Sequence, residues 1–196
     1  MLRIETTLDV NAFDKSVDEA INDGVMPTLA DALNEIADTV VDRLVEAQAA
    51  LLDRPTDFTQ RAWKVLPAKA VTGRAPEAWV VMHPIQTEYL EYVIDGGVRR
   101  AGDYATTKLG PLIPGRDAPV NKNGNLPRNY VRRMLQDPDV AWVHLTPGKP
   151  PVLIRHRKGR EVEILALIVE KAVNRPKFPV YDIIAETVDA VTRRMT

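Results

Sequence analysis

Few residues in this chain have both the type and the spacing to do chemistry. The only serine is Ser16, in an acidic stretch with helical character, so a serine nucleophile with a neighbouring base is not expected. His83, His144 and His156 fall near separate predicted strands and show neither HxxxH nor HxH spacing. With no cysteine in the chain, neither a thiolate zinc site nor a disulfide framework is available, and no metal or cofactor is expected. The glycines between residues 96 and 124 fit neither GxGxxG nor GxxxxGK[ST], which argues against a loop that cradles phosphate. Carboxylates gather on the polar face of a predicted helix, and Glu161 and Glu163 alternate along a predicted strand, so no acid–base pair stands out. The expectation is a protein that is not an enzyme.

Charge is more informative than catalysis here. Residues 1–57 carry thirteen acids against four bases, a net of −9. Residues 95–135 carry eight bases against three acids, a net of +5, although the whole chain sums to −1. The bases are Arg99, Arg100, Lys108, Arg116, Lys122, Arg128, Arg132 and Arg133, and they are the candidate residues for a subunit interface or a DNA channel. Opposite signs on one polypeptide suit head-to-tail contact between copies, the heterologous geometry that closes into rings. A DNA-binding module using the basic 95–133 segment is the alternative, and an unrecognised hydrolase a more distant one.

The elements that must position these groups follow from periodicity. Met26, Leu29, Leu33, Ile36, Val40, Leu44, Ala47 and Leu51 recur at three- and four-residue steps after Pro27, which suits a first helical turn. They predict a helix of roughly 39 Å ending before Arg54-Pro55, with Leu29, Leu33, Ile36, Val40 and Leu44 as a candidate helix interface. Residues 13–23 predict a shorter helix stopped by Gly24, making residues 1–24 an N-terminal arm and 25–196 a single domain. Phe58 and Trp63 are placed to pack back onto the long helix.

Strands are expected at Trp63–Leu66 and Ala78–His83, then one or two helical turns over Thr87–Ile94 ended by Gly96-Gly97, where φ is expected to be positive. Residues 95–127 hold ten glycines and prolines and read as a long irregular loop. A short helix through Tyr130–Leu135 follows, with Asn125 placed to cap it. Then come strands at Val140–Leu145 and Val152–His156, an apolar run over 161–173 read as a central strand with a helix as the alternative, and a C-terminal helix from Val180. The class is α+β: a long N-terminal helix and a C-terminal helix on a mostly antiparallel sheet, with a long basic Gly/Pro-rich loop. The 45% hydrophobic content supports a packed core, and no run of 18 apolar residues suggests a membrane span, so a cytosolic origin is expected.

Taken in order, Arg54-Pro-Thr-Asp-Phe-Thr59, Tyr89-Leu90, Gly96-Gly-Val-Arg-Arg100, Pro114-Gly115 and Gly124-Asn-Leu-Pro-Arg128 form a set. On these motifs, residues 25–195 resemble the minor tail protein Z-like, or tail-completion, proteins of tailed bacteriophages. The resemblance implies a structural virion protein at the neck, or head–tail junction, a homo-oligomeric ring of six or twelve copies that meets connector, adaptor or tail proteins. It implies assembly in the cytoplasm of a bacterial host, with passing contact with genomic DNA and no catalytic residues. The acidic N-terminal segment and the modest basicity of this chain depart from many relatives. Charge reversal at Arg99 and Arg100 is then expected to block assembly without unfolding the monomer.

Overall fold

The computed structural model describes residues 10–195. Contacts gather them into two compact units: the residues up to Glu46 with Trp63–Met82 and the segment from Tyr181, and a second unit of Ala47–Ala62 with His83–Val180. The architecture is α+β with antiparallel pairing throughout, as the alternation of elements predicts.

In the first unit the chain enters as helix α1 (Val10–Ala20), passes through one π-helical turn (Ile21–Val25) and continues as α2 (Met26–Leu51). The expected stop at Gly24 does not occur. Ala20 and Met26, which flank the π-turn, both have right-handed helical dihedrals, and the Met26 N–H donates to the Ile21 carbonyl. A glycine ends a helix only when it takes up left-handed geometry, and Gly24 does not do so. Along α2, Ala30, Ala37, Val40 and Leu44 are buried at three- and four-residue steps. Asn34 clips the helix to the loop after the first strand: its Oδ1 accepts from the Ala68 N–H at 2.7 Å and its Nδ2 donates to the Ala68 carbonyl at 3.2 Å. That strand, β1 (Trp63–Leu66), pairs with β2 (Trp79–Met82) in the register Trp63↔Met82 to Leu66↔Trp79. Helix α6 (Val180–Met195) buries Val180, Thr187 and Val191.

The second unit holds the main sheet. Short helix α3 (Asp57–Gln60) is capped by Thr56, whose Oγ1 accepts from the Thr59 N–H. Phe58 stands on it exposed, not packed back as expected, because the short helix points it outward. Helix α4 (Pro84–Ile94) begins with proline in its first turn and gives way to Gly96 and Gly97, at φ 79° and 134°, as the Gly-Gly pair predicts.

The stretch expected to be irregular instead contains β3 (Gly97–Arg100) and β4 (Leu112–Pro114). Glycine and proline count misled because both strands are three or four residues long and pair only with distant partners. Helix α5 (Tyr130–Met134) is preceded by Asn129 at φ 58° and has no side-chain cap; Asn125 instead donates its N–H to Asn121 Oδ1. Strands β5 (Val140–Val143), β6 (Val152–Arg155) and β7 (Glu163–Ile168) form a meander, and β4 adds to the far edge of β7, giving the order β4-β7-β6-β5. The 161–173 run is thus two strands, β7 and β8 (Lys171–Asn174), the latter paired with β3.

Core packing centres on β7. A bulge in β7, opposite Leu153 and Ile154 of β6, leaves Leu165 as an extra residue, so Leu165 and Ala166 both turn inward where simple alternation would bury only one. With Tyr130, Val140 and Leu153 they make one buried cluster. At this bulge β4 runs on into Gly115, whose N–H donates to the Leu165 carbonyl, while a Cβ at Gly115 would lie 2.1 Å from the Ile164 carbonyl oxygen. Only glycine permits that approach.

Candidate interaction surfaces

The motifs that carry the resemblance meet within the second unit. Asn123 Nδ2 donates to the carbonyls of Arg54 (3.0 Å) and Pro55 (3.3 Å), joining segments nearly 70 residues apart. Gly124 faces the Arg54 guanidinium, and Arg54 Nε in turn donates to Asp53 at 2.9 Å. That hydrogen bond, and then the guanidinium charge, hold the Asp53 carboxyl below its usual range. The Tyr89 hydroxyl contacts Thr59 Oγ1 at 3.1 Å, and its ring stacks on Tyr104 with centroids 5.8 Å apart. Burial pushes the Tyr89 hydroxyl above its ordinary pKa.

Arg99 closes the network by donating to the Tyr104 carbonyl while its guanidinium lies 5.8 Å over the Tyr92 ring. Two buried glutamines fix the α3 backbone: Gln48 Nε2 donates to the Thr59 carbonyl and Gln86 Nε2 to the Phe58 carbonyl. A cavity of about 580 Å³ remains among Arg54, Thr59, Tyr89, Asn123, Asn174 and Lys177. Its lining mixes these amide, hydroxyl and cationic groups with Leu51, Leu52, Leu90, Val93 and Val173.

The eight predicted basic residues divide. Arg99 is half-buried and engaged in the fold, so reversing its charge breaks the network before it tests any outside contact. Arg100 is exposed, its backbone N–H donating to the Asp103 carboxylate at 2.6 Å. Arg116 donates Nε to Asp117 at 3.1 Å. Lys108 and Lys122 sit exposed in turns. Arg128, Arg132 and Arg133 are exposed within a six-residue stretch at α5, and none of the three pairs with a carboxylate among the described residues. Arg132 also borders an apolar groove of about 530 Å³ lined by Leu112, Leu126, Pro127, Val131 and Leu135.

The candidate helix interface divides as well. Val40 and Leu44 are core residues, Leu33 and Ile36 are half-buried, and Leu29 is exposed. The exposed apolar surface lies further toward the N-terminus, at Phe13, Val17, Ile21 and Val25. Sequence reasoning passed over these four because it ended the helix at Gly24; their unbroken four-residue spacing through to Leu29 is the signal that finds them.

His83, His144 and His156 follow β2, β5 and β6 respectively, and no group of His, Asp and Glu with metal-binding geometry occurs among the described residues. No described helix is long and apolar enough to cross a membrane. No protein-family model, curated protein or solved structure matches the chain.

Proposed function

We propose that this chain is a structural virion protein of a tailed bacteriophage, part of the neck or tail-completion ring, acting through packing of copies on one another and on connector, adaptor or tail proteins. The observation that carries this reading is the convergence of the RPTDFT, GGVRR and GNLPR segments, with Pro114-Gly115 at the β7 bulge, inside one unit. Asn123, Thr59, Tyr89 and Arg99 are engaged inside the unit, while Arg100 and Arg128 stay exposed. Such motifs act as the signature of a scaffold, and the chemistry left to the outside is contact: apolar stripe, groove and unpaired charge.

Native mass spectrometry and negative-stain imaging of the purified protein test it, with closed rings of six or twelve copies as the expected result. A monomer at every concentration overturns the self-assembly reading. A second reading takes the three unpaired arginines at α5 as phosphate contacts. Duplex DNA retention that falls steeply between 50 and 200 mM salt, without any ring, would make the DNA-binding module the better account.

A further inference from the structure

We propose that residues 13–25 of one copy dock into the α5 groove of a second copy, joining copies head to tail; this rests on the self-assembly reading above.

Every residue of 11–20 is exposed, so this part of the helix is solvated all round in the single chain. It gains nothing from tertiary burial there and is carried by its continuity with α2. Its apolar face is continuous: Phe13, Val17, Ile21 and Val25 are 56%, 39%, 37% and 57% exposed and stand four residues apart. In an α-helix each four-residue step drifts sideways by roughly 40°. The π-turn at Ile21–Val25 takes an extra residue per loop and winds part of that drift back, which keeps the stripe on one side. A π-turn placed where it straightens an exposed apolar stripe serves a contact made along that stripe.

The occupant follows from charge. Asp14 and Asp18 border the stripe at three residues from Val17 and Ile21, and neither is ion-paired among the described residues; Lys15, the base in this stretch, sits 3.7 Å from Glu19. The groove is lined mostly by apolar side chains and carries the opposite sign in Arg132, with Arg128 and Arg133 exposed and unpaired beside it in the sequence. Of the nine other arginines of the second unit, four have carboxylate partners, Arg54 with Asp53, Arg116 with Asp117, and Arg155 and Arg157 with Asp137, whereas the three at α5 gather within six residues with none among the described residues. An acidic amphipathic helix thus meets a basic apolar groove, and every copy of this chain carries both. The apolar contact supplies affinity, and the charges set partner choice and direction. Because the two surfaces differ, the contact is heterologous and propagates until it closes.

The test uses two full-length variants altered only at exposed residues: an arm variant, Val17→Asp with Ile21→Asp, and a groove variant, Arg132→Glu with Leu135→Asp. Circular dichroism and thermal melting check that each keeps the fold, and Arg128→Glu with Arg132→Glu replaces the groove variant if it does not. Each variant alone is expected to have the mass of one 21.9 kDa chain by light scattering. Mixed in equal amounts they are expected to form a 1:1 dimer and nothing larger, since one intact arm and one intact groove remain. Wild-type-sized assemblies from either variant alone, or a mixture that stays monomeric while the wild type assembles, overturn the docking and leave self-assembly standing. A wild type that is monomeric throughout overturns both.

Discussion

The helix at residues 11–29 and the motif network of the second unit use polar side chains in opposite ways. On the helix, every described side-chain bond is local: Ser16 to the Phe13 carbonyl, Asn22 to that of Asp18, Thr28 to that of Gly24, and Lys15 beside Glu19. In the network, Asn123 reaches Arg54, Tyr89 reaches Thr59, and Asp117 Oδ2 accepts from the Ile164 N–H at 2.7 Å. Local bonds hold a helix without fixing it to anything, whereas bonds across tens of residues tie segments into one cooperative body. The first region leaves the side chains of residues 11–20 exposed, and the second forms the body that carries the α5 groove.

The sharpest way to break this contrast is Gly115→Ala. The added methyl meets the backbone carbonyl of Ile164, which cannot rotate away, so the second unit is expected to lose about 3 kcal/mol in denaturant unfolding. The same substitution at Gly24 meets nothing within 4 Å.

Asn123→Ala comes next. It removes the donor from two carbonyls, at an expected cost of about 1 kcal/mol, and frees the 121–125 turn from the Arg54 segment, visible as faster amide exchange there.

Acid is expected to act on the second unit through Asp117 and Asp137. A backbone hydrogen bond from Ile164, then the Arg116 guanidinium, holds Asp117 below its ordinary range. A backbone bond from Asp139, with the charges of Arg157 and Arg155, does the same for Asp137. Folded values below the unfolded value of about 3.9 mean that the stabilisation is complete above that pH and is lost as pH falls through the folded values. Melting temperature is therefore expected to drop below about pH 4, and Asp117→Asn to flatten the drop.

The smallest effect is Gly24→Ala. In a continuous helix it is expected to raise stability by about 0.5–1 kcal/mol and to increase the helical circular dichroism signal; a loss of helix would restore the reading of Gly24 as a stop.

Local signals carried much of the fold. The three- and four-residue recurrence from Met26 to Leu51 placed α2, the Gly96-Gly97 pair ended α4, and β-branched runs located β1, β2, β5 and β6. What failed were inferences from composition in isolation. Ten glycines and prolines suggested a loop over 95–127, yet β3 exists because β8 pairs with it and β4 because β7 does. The candidate surfaces were legible in part. Arg128, Arg132 and Arg133 stand exposed as their charge suggests, while Arg99, identical in type and in a basic run, is held by Tyr104 and Tyr92.

Sequence alone determined the α+β class, the long helix, the order of most strands and the opposite charge of the two chain segments, because these depend on periodicity and residue type over short distances. Tertiary structure decided which apolar residues of the helix are core and which are exposed, that Gly24 continues a helix through a π-turn, and that motifs up to 70 residues apart form one network. Those outcomes depend on which distant segment supplies the partner for each backbone group and side chain, a choice that local spacing does not encode.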